Sequence, residues 1–475
     1  MNFDDLKETC KGVVATAGDA NFTELLHGNL WNRLIPDRAP QVLVRVIDEH
    51  DVVAAVLFAR ANKLKVAVRG GGHNWCQPTL RNSGLLIDLT NLNKIISIDP
   101  IAHKAVVQPI ISNRDLQRAL NPLGMAFPSG HCPQVKLSGY LLGGGMSWNQ
   151  GAWGHGCESV EAIEMVTAEG KLITASKDEN QDYFWAARGA GSGFFGVVTR
   201  FHLKLYPLPK AIHGCSYIYP IEEASSVATW LEKIAGTLAT TVELSLFLIT
   251  APTELKDKTV SSGGKVCLVT GASFAETSEQ ALAELKPLGN CPVLAKSLGY
   301  SPPAPVTFEE LFDASGALWP ADLRSRVEAA FTNVPAGKYA QTSADHLVKA
   351  PSPISLILLV YFTGPVLPPA LPDAAFSMTA RIYAGPWTQW KNEGEDEANT
   401  KWHNALIADL APFNSGYYIG ESNTVEKPSN APAAFLPENW KRLADLRDQY
   451  DPDGVFFGYS DGFIDQKAVP PGRLA

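Results

Sequence analysis

Along the N-terminal part of the chain the apolar positions switch between a period of two and a period of 3.6, and each switch marks an element. Alternation over residues 41–47 predicts a strand, helical spacing over 49–62 an amphipathic helix, and a second apolar run over 64–68 another strand, a β-α-β beginning. Asp51 stands where a carboxylate can cap the first turn of that helix. Two short helices precede it, the second over 21–26. Strands are expected at 85–90 and 104–108, and a helix at 113–121 that Pro122 stops. Alternation resumes in the second half of 157–167, turned by Ala168-Glu169-Gly170, before a helix at 182–188 and a strand at 197–205.

Pro207-Leu208-Pro209 ends this texture, because prolines break a strand and stiffen the passage. Beyond it helices at 221–235, 278–288 and 394–410 alternate with strands at 242–250, 265–272, 354–363 and 376–384. Residues 355–361 and 375–383 are expected on one sheet, with side chains directed toward a ligand. A last helix, 439–448, leads into Tyr450-Asp451-Pro452. The fold class is α+β.

Length makes this more than one core: 475 residues suggest two or three domains. A hydrophobic content of 45% with 19% charged residues is that of a globular protein. The net charge of −9 argues against nucleic acid or an anionic membrane, which call for basic patches, and leaves a small neutral or weakly charged molecule as the expected partner. Acids occupy the N-terminus where a signal peptide carries basic residues, and no apolar run reaches the roughly 20 residues that span a bilayer. A soluble, cytoplasmic monomer or homodimer is expected. Seven scattered cysteines make neither a disulfide framework nor a zinc pair, and His73 with Cys76 alone is too small a ligand set, so no metal is expected.

Candidate chemistry concentrates in two glycine-rich stretches. The first is Val68-Arg69-Gly70-Gly71-Gly72-His73-Asn74; the second runs from Gly130-His131-Cys132-Pro133 through Val135, Ser138 and Gly139 to Gly143-Gly144-Gly145. Glycines let backbone N–H groups crowd an anion, so both stretches suit a phosphate or pyrophosphate. A third, Gly191-x-Gly193-x-x-Gly196, spells the dinucleotide fingerprint, but a helix precedes it and a strand follows. That order is the reverse of the one required, and a Rossmann site is rejected.

Taken together, the first two stretches resemble the flavin-attachment and flavin-cradling segments of the berberine-bridge-enzyme-like FAD oxidases of the vanillyl-alcohol-oxidase superfamily. The resemblance covers essentially the whole chain and is strongest at 66–74, 128–170 and 189–205. It implies a PCMH-type FAD-binding domain of two subdomains over 1–207, and a substrate domain with a mainly antiparallel sheet flanked by helices over 208–430. A C-terminal segment over 431–475 would return to the FAD-binding domain, since Tyr450 to Phe456 matches the family's closing motif. It further implies FAD bonded through its 8α-methyl to His73 and through C6 to Cys132. Val68, Arg69, Gly70, Gly71, Gly72, Asn74, Gly130, Val135, Ser138, Gly139, Gly143, Gly144, Gly145, Glu158, Gly196, Val198 and Tyr418 would be the remaining cofactor contacts. Val135 takes the position said to gate oxygen, where a valine resembles the oxidases.

A cysteine adds to a flavin as its thiolate, so positive charge is expected beside Cys132, with Arg69 and Lys136 as candidates. Substrate oxidation needs a base within hydrogen-bond reach. Tyr418 and Glu421 are first by position in the 417–423 stretch, followed by Tyr383, Tyr361 and Arg381; a phenol serves only with a cation beside it. Gly420 stands where the family has an asparagine, so no hydrogen bond is carried over from that residue. His131, Trp148, Trp153 and His155 read as packing and loop groups. The expected function is a bicovalent FAD oxidase that oxidises an alcohol, sugar or secondary metabolite by hydride transfer to flavin N5, with dioxygen reduced to hydrogen peroxide. A dehydrogenase with another acceptor and a flavin-bearing protein that sequesters a ligand for resistance stay open beside it.

Overall fold

A computed structural model describes residues 2–367 and 370–461. Strands β1 (Val13–Thr16), β2 (Val42–Arg45), β3 (Val66–Arg69) and β4 (Leu85–Asp88) form a sheet in the order β1-β2-β4-β3, parallel except for β1. The helix Glu49–Ala61 makes the crossover between β2 and β3. Its cap is Asp48, whose carboxylate accepts the N–H of His50 and Asp51, and not Asp51 as the sequence suggested. Asp51 is buried and accepts the N–H of Lys11 at 2.8 Å and of Gly12 at 2.9 Å, tying the N-terminal segment to the helix.

The next strands are β5 (Ile95–Asp99), β6 (Lys104–Val107), β7 (Met125–Ala126), β8 (Val160–Thr167), β9 (Leu172–Ser176), β10 (Gly196–Lys204) and β11 (Tyr206–Pro207). Five of them pair antiparallel as β5-β6-β10-β8-β9, and β7 pairs with β11. Both sheets share one apolar core, to which the chain's last described part returns. Leu443 and Leu446 of the helix Pro437–Tyr450 pack there, and Phe456 bridges Val66 in parallel.

A nine-stranded antiparallel sheet follows. Its members are β12 (Ala211–Pro220), β13 (Val242–Thr250), β14 (Lys265–Ala275), β15 (Gly299–Pro305), β16 (Arg324–Val327), β17 (Ala330–Thr332), β18 (Leu356–Tyr361), β19 (Ile382–Trp390) and β20 (Asn414–Tyr417). The order is β15-β12-β14-β13-β18-β19-β17-β20, with β16 also on β19. Side chains alternate between two faces. Leu244, Leu246, Val269, Ile357, Leu359 and Tyr361 pack against the helices Ala224–Ala235, Ala336–Leu347 and Asp396–Leu410, while Phe247, Leu358, Tyr383 and Trp387 face the other way. That second face closes the functional cavity.

The strands β12, β15 and β20 were not expected, and one expected strand starts late. The run at 376–384 becomes a strand only from Ile382, because the N–H groups of Ala375 and Phe376 donate to the carbonyls of Trp185 and Arg188 instead of to a ladder. The segment is buried as a bridge between the two halves. No helix among the described residues is long and apolar enough to cross a membrane.

Candidate active site

The open face of the large sheet and the glycine-rich loops of the first half enclose a cavity of about 700 Å³, a size suited to a cofactor or small ligand. On the loop side, β3 delivers Gly70, Gly71 and Gly72 to the cavity wall with His73 and Asn74 directly after them. A Cβ on Gly70 would lie 1.9 Å from Ser138 Oγ, and one on Gly71 2.2 Å from Lys136 Cγ. Glycine lets the two stretches meet this closely without displacing the Ser138 or Lys136 side chain. Val68, Gly130, Cys132, Val135, Ser138, Gly139, Gly196 and Val198 line the same cavity. Ser138 Oγ and both amide atoms of Asn113, another lining residue, are buried without a hydrogen-bond partner among the described residues. Buried polar atoms left open in this way mark a place for a ligand's donors and acceptors, so this wall fits the polar portion of the expected flavin.

Five expected cofactor contacts are turned elsewhere. Gly143, Gly144 and Gly145 do not form a phosphate nest: their N–H groups donate to Gly139 O at 3.0 Å, Leu141 O at 3.3 Å and Tyr418 Oη at 3.2 Å. They are glycines because Phe376 and Tyr140 press on the last two, whose φ values are +105° and +82°. Glu158 lies off the cavity, accepting the N–H of His155 at 2.7 Å to close a capping box. Arg69 borders the cavity, but its guanidinium is fully buried and donates to Asp88 at 2.9 Å and to the carbonyls of Leu25 and Leu26.

The expected cation beside Cys132 is therefore absent from its described surroundings. Burial, followed by the nearby Glu421 carboxylate, pushes the Cys132 thiol up to about 12. Lys136 instead acts on His73. That imidazole stacks on Trp31 at 5.0 Å, and burial with the Lys136 charge lowers its pKa to about 4. His73 is neutral at pH 7, with a lone pair available.

Across the cavity, Tyr383 of β19 donates its phenol proton to Glu421 Oε2. Burial raises Glu421 above the ordinary carboxylate range, while the bond from Tyr383 and the His131 ring oppose the rise. Tyr383 and Tyr418 are both pushed up by burial and then by Glu421, so each phenol keeps its proton. No Arg or Lys among the described residues acts on them, so neither has the cation that a phenol base requires. Arg381 donates to the carbonyls of Phe362 and Gly364, and the Tyr361 hydroxyl is buried on the helix side of the sheet, 3.4 Å from Ala228 O. Of the candidate bases, only Glu421 is a carboxylate in the cavity supported by a proton donor. Its loop is fixed from the glycine side, where Asn74 Nδ2 donates to Gly420 O and Trp75 Nε1 to Glu421 O, both at 2.8 Å. Gly420 fits in place of asparagine because a Cβ there would lie 2.9 Å from the Tyr418 ring.

The sequence reading missed Glu243. This β13 residue accepts from the His131 ring and from Asn149 N–H at 3.2 Å, and His131 packs on Trp148 at 4.1 Å. His131 and Trp148 line the cavity, unlike His155, which packs on Phe376, and Trp153, which lies on Tyr206. Glu243, Phe247, Trp319 and Trp387 add to the wall. The alternation of β13 could have identified Glu243 and Phe247 as facing away from the helices, but no local motif marks them.

A family described as an FAD binding domain matches residues 40–176. The FAD-linked oxidoreductase nodO of Hypoxylon pulicicidum is 28% identical over 458 residues, covering 95% of this chain and 97% of its own length. The (R)-6-hydroxynicotine oxidase of Paenarthrobacter nicotinovorans is 26% identical over 458 residues, 94% of this chain and 95% of that protein. Among solved structures, BBE-like 28 of Arabidopsis thaliana superposes with a TM-score of 0.80 at 19% identity over 97% of this chain and 100% of that one, a likeness of fold.

Proposed function

We propose that the chain is a berberine-bridge-enzyme-like FAD-linked oxidoreductase, and that it is an oxidase whose flavin is tethered at both His73 and Cys132. What supports this reading is that both residues open on the same cavity as the Tyr383–Glu421 pair. Bound FAD would supply the hydride acceptor for an alcohol, sugar or secondary metabolite, and dioxygen, leaving as hydrogen peroxide, would restore it. His73 meets the flavin as a neutral imidazole. Val135 lies in the wall beside Cys132, where its size sets the space open to a small molecule such as dioxygen. Glu421 is the base: it takes the substrate's proton, and Tyr383 holds the carboxylate by donating to it. Because burial raises Glu421, it takes up that proton more readily than an exposed carboxylate, and activity is lost as the pH falls through its raised pKa.

Glu421→Gln tests the assignment. The flavin should stay bound while the rate of anaerobic bleaching by substrate falls about 10²- to 10⁴-fold; a bleaching rate within threefold of the parent would remove Glu421 from the role. Stopped-flow mixing of reduced enzyme with oxygen tests the acceptor, and reoxidation no faster than that of free flavin would make it a dehydrogenase.

A further inference from the structure

Two residues near the N-terminus, Trp31 and Asn32, stand between the halves of the molecule and against the histidine that follows the first glycine triplet. The Trp31 N–H donates to Gly72 O at 3.1 Å, and its ring stacks on the His73 imidazole with centroids 5.0 Å apart and planes 20° apart. Gly72 admits this approach because it has no Cβ: one added there, at a φ of +68°, would lie 2.4 Å from Asn29 O. Trp31 in turn meets Trp387 of β19 edge-on at 6.1 Å. The ring that packs on His73 is thus itself held from the second half of the chain.

Asn32 is fully buried, and its amide uses every donor and acceptor it has. Nδ2 donates to Trp75 O at 2.7 Å and to Ser325 O at 2.9 Å, while Oδ1 accepts the N–H of Ser325 at 2.8 Å and of Leu34 at 3.0 Å. Gln77 Nε2 donates to the Asn32 carbonyl at 2.8 Å. One residue therefore ties the segment that follows His73 to strand β16, which pairs with β19. The Arg33 N–H extends the seam by donating to Leu323 O at 2.9 Å. A buried amide committed in this way cannot shift without leaving polar groups unpaired, which costs more than the bonds themselves contribute. Cys132 is mounted differently. Its loop is held by the helix Asn113–Leu120, whose first two N–H groups, those of Asn113 and Arg114, donate to Val135 O at 3.0 Å and Pro133 O at 3.2 Å.

We propose that Trp31 and Asn32 are positioning residues for flavin attachment at His73, and that this tether, unlike the one at Cys132, depends on the large sheet being docked against the glycine-rich loops. The tether itself rests on the reading above; Trp31 and Asn32 add what holds its imidazole in place. Attachment forms one bond, from an imidazole nitrogen to the 8α-carbon. One proton leaves that carbon and one leaves the imidazole, the electron pair stays on the flavin ring, and dioxygen takes the pair with two protons and leaves as hydrogen peroxide. Such a bond needs the nitrogen close to the carbon and aimed at it, so a turned imidazole slows attachment while FAD still binds noncovalently.

The test uses the purified full chain in air with excess FAD and follows, over time, the share of bound flavin that stays with the chain on denaturation. With Cys132→Ala that share reports His73 alone, and with His73→Ala it reports Cys132 alone. Trp31→Leu, which keeps apolar volume but removes the stacking face, should slow attachment about tenfold or more at His73 and less than about twofold at Cys132. Trp31→Phe restores a ring and should return the His73 rate to within about threefold of the parent's. Asn32→Asp sets a carboxylate against the carbonyls of Trp75 and Ser325 and should act as Trp31→Leu does; where it yields no folded protein, the Trp31 pair decides. Noncovalent flavin in the native Trp31→Leu protein should stay at the parent's level, and this is the control if Cys132 carries no flavin. Equal losses at both tethers, loss of noncovalent flavin together with covalent, an unchanged His73 rate, or no recovery in Trp31→Phe would each overturn the positioning role. Absence of covalent flavin from Cys132→Ala with Trp31 and Asn32 intact would instead sink the His73 tether, and the positioning role with it.

Discussion

The two glycine triplets, Gly70–Gly72 and Gly143–Gly145, look alike in sequence and do opposite things. The first stands at the end of a parallel strand and forms cavity wall, pressed against Ser138 and Lys136. The second follows the helix Leu137–Leu142 and turns its amides inward, to two carbonyls and the Tyr418 hydroxyl. One triplet faces the cavity. The other faces the protein, with Gly143 against Gly420 and Gly145 under Tyr418, and so supports the loop that carries Glu421. Glycine content alone does not report where backbone donors go; the answer lies in what packs on each Cα.

The sharpest division between the two regions concerns the cofactor itself. His73→Ala combined with Cys132→Ala should release all flavin on denaturation, whereas His73→Ala alone should leave the yellow colour with the precipitated chain through Cys132. Complete release from the single variant would reduce the attachment to one tether. Next in size is Gly144→Ala. Its Cβ would lie 2.5 Å from the Phe376 ring at a φ of +105°, so overpacking and backbone strain together should cost about 3 kcal/mol, read as a lowered urea midpoint. Gly70→Ala should do the converse. Ser138 can rotate to make room, so the flavin-free protein should lose only about 1 kcal/mol while flavin occupancy falls severalfold. If Gly144→Ala lowered occupancy without lowering stability, the contrast between the triplets would fail.

Much of this arrangement was readable along the chain. Strand β13 has the bounds that its alternation predicted, because one face packs on helices and the other on a cavity, and the helix Glu49–Ala61 follows from its apolar spacing. His73, Cys132, Tyr383 and Glu421 line one cavity although hundreds of residues separate some of them. What escaped was set by distant partners. Arg69 looked like a cation for the site, but Asp88, at the end of the next strand, holds its guanidinium in the core. Glu243 meets His131 across 112 positions, a contact that only the fold creates. The run at 376–384 has the apolar content of a strand, yet its first residues bond to Trp185 and Arg188. Periodicity reports which face is buried, not which neighbour buries it.

The last expected effect lies in the flavin-free protein and concerns the residue directly after the first triplet. His73 titrates at about 4 when folded, against 6.5 as the ordinary value, because burial and then Lys136 disfavour its charge. Between those two values the unfolded chain binds a proton that the folded chain refuses, so stability rises with pH across this window. The contribution is fully present above pH 6.5 and lost as the pH falls toward 4, with a slope of at most about 1.4 kcal/mol per pH unit. His403, buried against Thr388 and lowered to about 3, acts in the same direction and continues lower. Urea midpoints of flavin-free His73→Gln should therefore fall less steeply than the parent's between pH 6.5 and 4, and with the parent's slope below that. An unchanged slope throughout would mean that the imidazole accepts its proton in the folded state, and that the wall formed by the first triplet is wetter than its packing implies.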